Sequence, residues 1–282
     1  FAFLGIGNTM LQVSLNPLLT NVVKGDALTS SLTAGQVVKA VSSICGPFIA
    51  AFAAGTLGNW KYLFPIFALV TLISAIWLMA THIEEQKSEK NAASVASVFG
   101  LLKDKTILFL FLGIFFVVGV DVGVNTLSPK LLMERAGWAV ENAGLAASVY
   151  FFCKTAGAFI GAFALAKVNA VKYFRWNIVI AALALVLLFF VDGAVPMMIL
   201  IGAIGLFCAS VFSIIYAAAM QARPDKANEI SGLMITGVSG GAVIPPLMGA
   251  MTDMMGGQVG SIIVIGVCML YLLWCSFRLS ES

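Results

Sequence analysis

The chain has 282 residues, 61% of them hydrophobic and 10% charged, with a net charge of +3. A mean hydropathy of +1.02 and so few charges, against roughly 25% in soluble domains, exclude an ordinary soluble domain. The basic residues are scattered over loops instead of gathered in a stripe, which excludes a nucleic-acid surface.

Hydropathy breaks and helix-stop residues predict nine apolar spans, near 1–23, 33–57, 60–82, 106–127, 141–166, 173–192, 195–220, 229–253 and 258–278. Crossing a hydrocarbon core takes about 20 apolar residues per helix, and these segments reach that length. Transmembrane β-strands would alternate polar and apolar residues over about 10 positions, a pattern absent here. The chain opens with Phe1 inside an apolar segment, with neither a methionine nor a charged leader, so a missing front portion is expected.

In the first span, Asn16-Pro17 is expected to interrupt the helix and expose backbone carbonyls. The long polar stretch from His82 to Lys105 separates three spans from six. It divides the chain into part of an N-terminal bundle (1–82), a linker (83–105) and a C-terminal six-helix bundle (106–282). Pro129 is expected to end the fourth span, and Pro245-Pro246 to bend the eighth just past its glycines. Gly157 with Gly161, and Gly237 with Gly241, form small-xxx-small surfaces for close helix packing.

Positive loops stay in the cytoplasm. With a cytoplasmic linker, that side holds Lys24, Lys87, Lys90, Lys103, Lys105, Lys167, Lys172, Arg175, Arg223, Lys226 and Arg278, and the other holds Lys61, Lys130 and Arg135. That split of 11 to 3 sets the orientation. Gly7 resembles Gly205, and Val41-Ser42 resembles Val238-Ser239, at offsets of 197 to 198 positions. This echo fits two related halves and fits chance equally. Related halves would leave roughly three helices missing from the front.

An ionisable residue in a span is costly in lipid, so it faces protein or water and is a functional candidate. Asp121, in Gly119-Val120-Asp121-Val122-Gly123, is the one carboxylate deep in a span. Lys154 lies about 20 Å along the next, antiparallel helix, and its long side chain extends toward the depth of Asp121. A pair between them would couple proton uptake to transport if a solute or a conformational change broke it, and would be plain interhelical glue otherwise. Lys39 stands about two turns into its span, where it either faces a cavity or snorkels to the surface. Gln12, Asn16, Gln36 and Asn125 are uncharged hydrogen-bonding groups suited to a hydroxylated solute, and interhelical bonding accounts for them as well.

Enzyme chemistry has little support. Gly237-Val238-Ser239-Gly240 matches the GxSG string of intramembrane serine proteases, which also need a histidine base at membrane depth, and the sole histidine, His82, lies at a span's polar end. HExxH, a P-loop and a pair of intramembrane aspartates are absent from the sequence. Cys45, Cys153, Cys208, Cys268 and Cys275 fall in apolar segments without CxxC spacing, as small packing residues do. No metal or cofactor is expected.

The stretch from Gly7 to Val23, with Leu11-Gln12 and Asn16-Pro17, resembles the fourth helix of the fucose/glucose/galactose:proton symporters of the major facilitator superfamily, whose motif runs Leu-Glu-x-x-x-Asn-Pro. Gly240-Gly241-Ala242-Val243-Ile244-Pro245-Pro246, closing at Asp253, resembles their eleventh helix. The resemblance covers nearly the whole chain as helices four to twelve. It implies a 12-helix fold of two bundles, a central cavity and alternating access driven by protons. By position, Gln12 stands where the family has a coupling glutamate, Gln36 matches a sugar-binding glutamine, and Lys39 stands in place of an asparagine. Asp121 matches a position that is often Glu or Gln. Gln12 cannot titrate, and Ala158 occupies a place where relatives often have arginine, with Lys154 a turn earlier. This shifted charge set points to a different solute, such as a sugar acid, or to different coupling.

The expectation is therefore an all-α, multi-pass protein of the bacterial inner membrane, a monomer that takes up a sugar or sugar derivative with protons. Gln12, Asn16, Gln36, Lys39 and Asn125 would contact the solute, and Asp121 with Lys154 would handle the proton. The rivals are an efflux pump of the same fold and a non-transporting membrane scaffold or sensor.

Overall fold

The computed structural model describes residues 2–23, 26–56, 58–81 and 95–279. Every regular element among them is helical. The long helices are α1 (Ala2–Val22), α2 (Asp26–Thr56), α3 (Leu63–Ala80), α5 (Lys105–Ala136), α7 (Leu145–Ala164), α8 (Ala170–Phe190), α9 (Ala194–Cys208), α10 (Val211–Ala222), α11 (Ala227–Gly237), α12 (Gly240–Met255) and α13 (Val259–Arg278), with α4 (Val95–Gly100) and α6 (Val140–Ala143) as short helices. A helix satisfies its own backbone bonds, which lipid demands of any spanning segment.

Six rods among the described residues are long and apolar enough to cross a membrane: Lys105–Ala136, Leu145–Ala164, Ala170–Phe190, Ala194–Ala222, Pro224–Met255 and Val259–Arg278. They fall on the last six expected spans. The first three expected spans fall on the helices α1, α2 and α3, and the apolar part of α3, Phe64–Ala80, is shorter than the six. Two rods contain a break, between α9 and α10 at Ala209–Ser210 and between α11 and α12 at Val238–Ser239.

Two expectations about proline are corrected, at Pro17 and Pro129. α1 runs helically through Pro17, α5 through Pro129, and α12 through Pro245 and Pro246. The rod that holds Pro245 is interrupted nearly two turns before it, at Val238–Ser239. A proline deletes one amide donor, and a membrane helix continues where a neighbour supplies the missing bond.

By compactness the chain forms two units, Phe1–Gln36 with Ala93–Ser282, and Val37–Ala92. In the larger unit α5 is central and packs on α7, α9, α10, α11, α12 and α13, while α1 lies on α11. Its inward face carries Ile107, Leu110, Ile114, Val117, Val124, Leu127 and Leu131, all buried at helical spacing. Asp104 caps α5 by accepting from the Thr106 amide at 2.9 Å, and Gly137 ends it in the left-handed region at φ 65°. In the smaller unit, α3 exposes Phe64, Ile73, Ile76 and Trp77. In lipid such exposure carries no hydrophobic cost.

The glycine seams expected from the sequence are present. A Cβ on Gly157 would strike the Leu206 carbonyl oxygen, and one on Gly161 would strike the Ser210 hydroxyl. α7 and α9 therefore meet backbone to backbone.

Candidate functional site

Gly119 and Gly123 flank Asp121 and let α12 and α13 approach α5: a Cβ at Gly119 would collide with Ile244, and one at Gly123 would crowd Met248 and Ile265. Asp121 itself meets α7. Tyr150 and Lys154 are four residues apart, one above the other on the same helix face. The Tyr150 hydroxyl donates to Asp121 Oδ1 at 2.6 Å, and the Lys154 ammonium donates to Asp121 Oδ2 at 2.5 Å. Each carboxylate oxygen thus has its own donor.

The two donors are held differently. Tyr150 is 0% exposed. Its backbone carbonyl and ring lie so close to Gly205 of α9 that a Cβ there would sit 2.7 Å from the carbonyl and 3.0 Å from the ring. The Lys154 and Asp121 side chains are 30% and 31% exposed. One carboxylate oxygen is anchored in packed protein, and the other is held by a cation that reaches accessible space. Such an ion pair can exchange its partner, whereas a fully buried one would strand two charges.

Asn125 lies one turn beyond Asp121 on α5. Its Oδ1 is buried and has no hydrogen-bond partner among the described residues. Pro129, four positions on, lacks the amide that would bond the Asn125 backbone carbonyl. The Asn125 side-chain oxygen is left for an outside donor.

Gln12 on α1 and Gln36 on α2 are half-buried, and among the described residues Asp121 is hydrogen-bonded by Tyr150 and Lys154, not by either glutamine. Lys39 is exposed and belongs to the smaller unit. The side chain of Asn16 lies outside the described residues, as do Cys45, His82 and most of the 83–105 linker. The sequence did not single out Tyr150. Its available signal was its place one turn before Lys154 on the same face.

A cavity of about 250 Å³ lies at the linker end of the larger unit, lined by Thr29, Thr106, Asn169, Gln221 and Leu279 among others. It shares no residue with the Asp121 group.

The sequence profile described as Major Facilitator Superfamily matches residues 1–144 and again residues 110–282. The chain belongs to the Major Facilitator Superfamily. It is thus a multi-pass integral membrane protein of a transporter family. The glucose/galactose transporter of Brucella abortus (strain 9-941) is 24% identical over 99% of this chain and 70% of its own length. A putative glucose/galactose transporter of Helicobacter pylori (strain 26695) is 22% identical over 98% of this chain and 72% of its own length. Among solved structures, the E. coli fucose:proton symporter FucP (N162A) superposes with a TM-score of 0.85 at 16% identity, covering 96% of this chain and 74% of its own. A bacterial homologue of the iron transporter ferroportin superposes with a TM-score of 0.64 at 14% identity, covering 97% and 70%. These superpositions show the fold. The symporter resemblance carried by α1 and α12 agrees with the relatives that match.

Proposed function

We propose that this major facilitator protein is a secondary active transporter that takes up a sugar or sugar derivative with protons by alternating access. The observation that carries the reading is the Asp121 carboxylate with Tyr150 fixed on one oxygen and the half-exposed Lys154 on the other. Relatives named glucose/galactose transporters, and a fold neighbour named a fucose:proton symporter, support the solute class and the coupling ion.

In this reading Lys154 supplies the countercharge while the site is empty. When solute binding or helix movement draws Lys154 away, an unpaired carboxylate in a site of low polarity is costly, and a proton taken up on Oδ2 removes that cost. Tyr150 keeps the carboxyl group in place through both states. Gln12, Asn16, Gln36 and Asn125 bind solute hydroxyls, with Asn125 presenting its open side-chain oxygen, and Lys39 contacts the solute from the second helix. The chain divides functionally at the 83–105 linker, between the bundle of 1–82 and that of 106–282, and works as a monomer in a bacterial inner membrane with the linker in the cytoplasm.

The test is uptake into proteoliposomes by the full-length protein under an imposed proton gradient. Asp121→Asn should abolish accumulation above equilibrium while leaving downhill exchange measurable. Gradient-driven accumulation at the wild-type level in Asp121→Asn would remove Asp121 from coupling.

A further inference from the structure

Two helices of the larger unit have carbonyls that their own hydrogen-bond ladders leave open, and in both cases a hydroxyl from another helix fills the gap. The Val13 carbonyl of α1 would accept from residue 17 in an unbroken helix, but residue 17 is proline and has no amide hydrogen. Ser231 of α11 donates to the Val13 carbonyl instead, at 2.9 Å, while accepting from the Tyr216 hydroxyl at 2.6 Å. Both Ser231 and Tyr216 are 0% exposed. The Ala162 carbonyl is among the last four of α7, which no helix can satisfy internally, and it accepts from the Ser30 hydroxyl of α2 at 2.6 Å.

Both links lie at one end of the unit. The cavity at the linker end joins the starts of α2, α5 and α8 to the ends of α10 and α13. Arg223 ties the α10–α11 turn to Asp104, the cap of α5, at 3.1 Å. α1 ends at this side at Val22, and α11 starts from it at Ala227.

We propose that the Tyr216–Ser231–Val13 relay and the Ser30–Ala162 bond are the latch that holds the linker end closed, and that Pro17 makes the latch by leaving the Val13 carbonyl without a helix partner. The latch is neutral and uses one hydroxyl per carbonyl. Water replaces each hydroxyl on the carbonyl once the helices part, so opening strands no charge. It rests on the transporter reading, because only a protein that opens at this end needs a releasable tie there.

The test is amide hydrogen exchange in the full-length protein in lipid nanodiscs, with neither solute nor gradient. Ser231→Ala should speed exchange across α1 and α11 about fivefold, the effect of losing one typical hydrogen bond from the closed state. Ser231→Thr keeps the hydroxyl and should stay near wild type. Pro17→Ala gives Val13 an amide partner within α1 and should speed exchange in the same sense, and Ser231→Ala added to it should then do little more. Tyr216→Phe keeps the ring and serves if Ser231→Ala fails to fold; it should raise exchange by a smaller factor. Wild-type exchange in Ser231→Ala and Tyr216→Phe, or full additivity of Ser231→Ala with Pro17→Ala, overturns the latch. Unchanged exchange with normal uptake counts against the latch alone, and lost uptake with the expected exchange pattern leaves the latch standing.

Discussion

Two buried tyrosines of this chain do the same local job in opposite surroundings. Tyr150 donates to a carboxylate whose other oxygen is held by a lysine, and both ions are about 30% exposed. Tyr216 donates to a fully buried serine, which passes the bond to a backbone carbonyl. An ion pair kept next to accessible space can change partner without stranding charge in lipid. A neutral relay can be sealed completely, and yields only when whole helices separate. Charge thus sits beside accessible space, and the neutral relay sits between fully buried side chains.

That contrast has measurable edges. The largest effect should come from Lys154→Ala, which leaves Asp121 without its countercharge. Breaking a fully buried pair costs about 3 to 5 kcal/mol, and the exposure here reduces that to roughly 1 to 2 kcal/mol of stability by thermal unfolding in detergent. Lys154→Ala combined with Asp121→Asn should regain much of it, because no lone charge remains. If the double variant is less stable than Lys154→Ala, shape and not charge holds the pair. Next comes the same substitution at the two tyrosines. Tyr150→Phe removes a bond to a charged acceptor, and such bonds are about twice as strong as neutral ones. It should cut gradient-driven uptake roughly tenfold, whereas Tyr216→Phe should act mainly on exchange at the linker end. Equal uptake losses at both positions would erase the distinction.

The smallest effect concerns Asp104, outside the membrane span. The Thr106 amide, and then the Arg223 guanidinium, hold its carboxyl below the ordinary value against a modest desolvation. A carboxylate held down in the folded state contributes stability that is complete above its unfolded value of about 3.9 and is lost as pH falls through the lower folded value. Asp104→Ala should cost about 1 kcal/mol at neutral pH, as loss of a helix cap does. Thermal unfolding of wild type and variant should converge under strongly acidic conditions, and a gap that persists there would assign the effect to something other than the carboxylate.

The positions of the long helices were legible because hydropathy reports what lipid requires of each segment, and that requirement is local. The meeting of Asp121 and Lys154 was legible for a similar reason: isolated charges deep in neighbouring apolar helices have few places to go. Tyr150 was not, since a tyrosine in an apolar helix is ordinary until its partner is known. Pro17 and Pro129 were misread as helix breakers, because the sequence shows the lost amide and hides the neighbour that compensates, as Ser231 does for Val13. Pairings between distant helices, such as Ser30 with Ala162, depend on tertiary contacts that no local pattern encodes.

The backbone contact between α7 and α9 at Gly157 and Gly205 has a mechanical consequence. At these glycines no side-chain layer separates the two helices, so they pack as one stiff plate that carries Tyr150 and Lys154. Lys154 can leave Asp121 by swinging its own flexible stem, or the whole plate can shift against α5. A bulkier residue at Gly205 would wedge the plate apart and pull both donors off the carboxylate together.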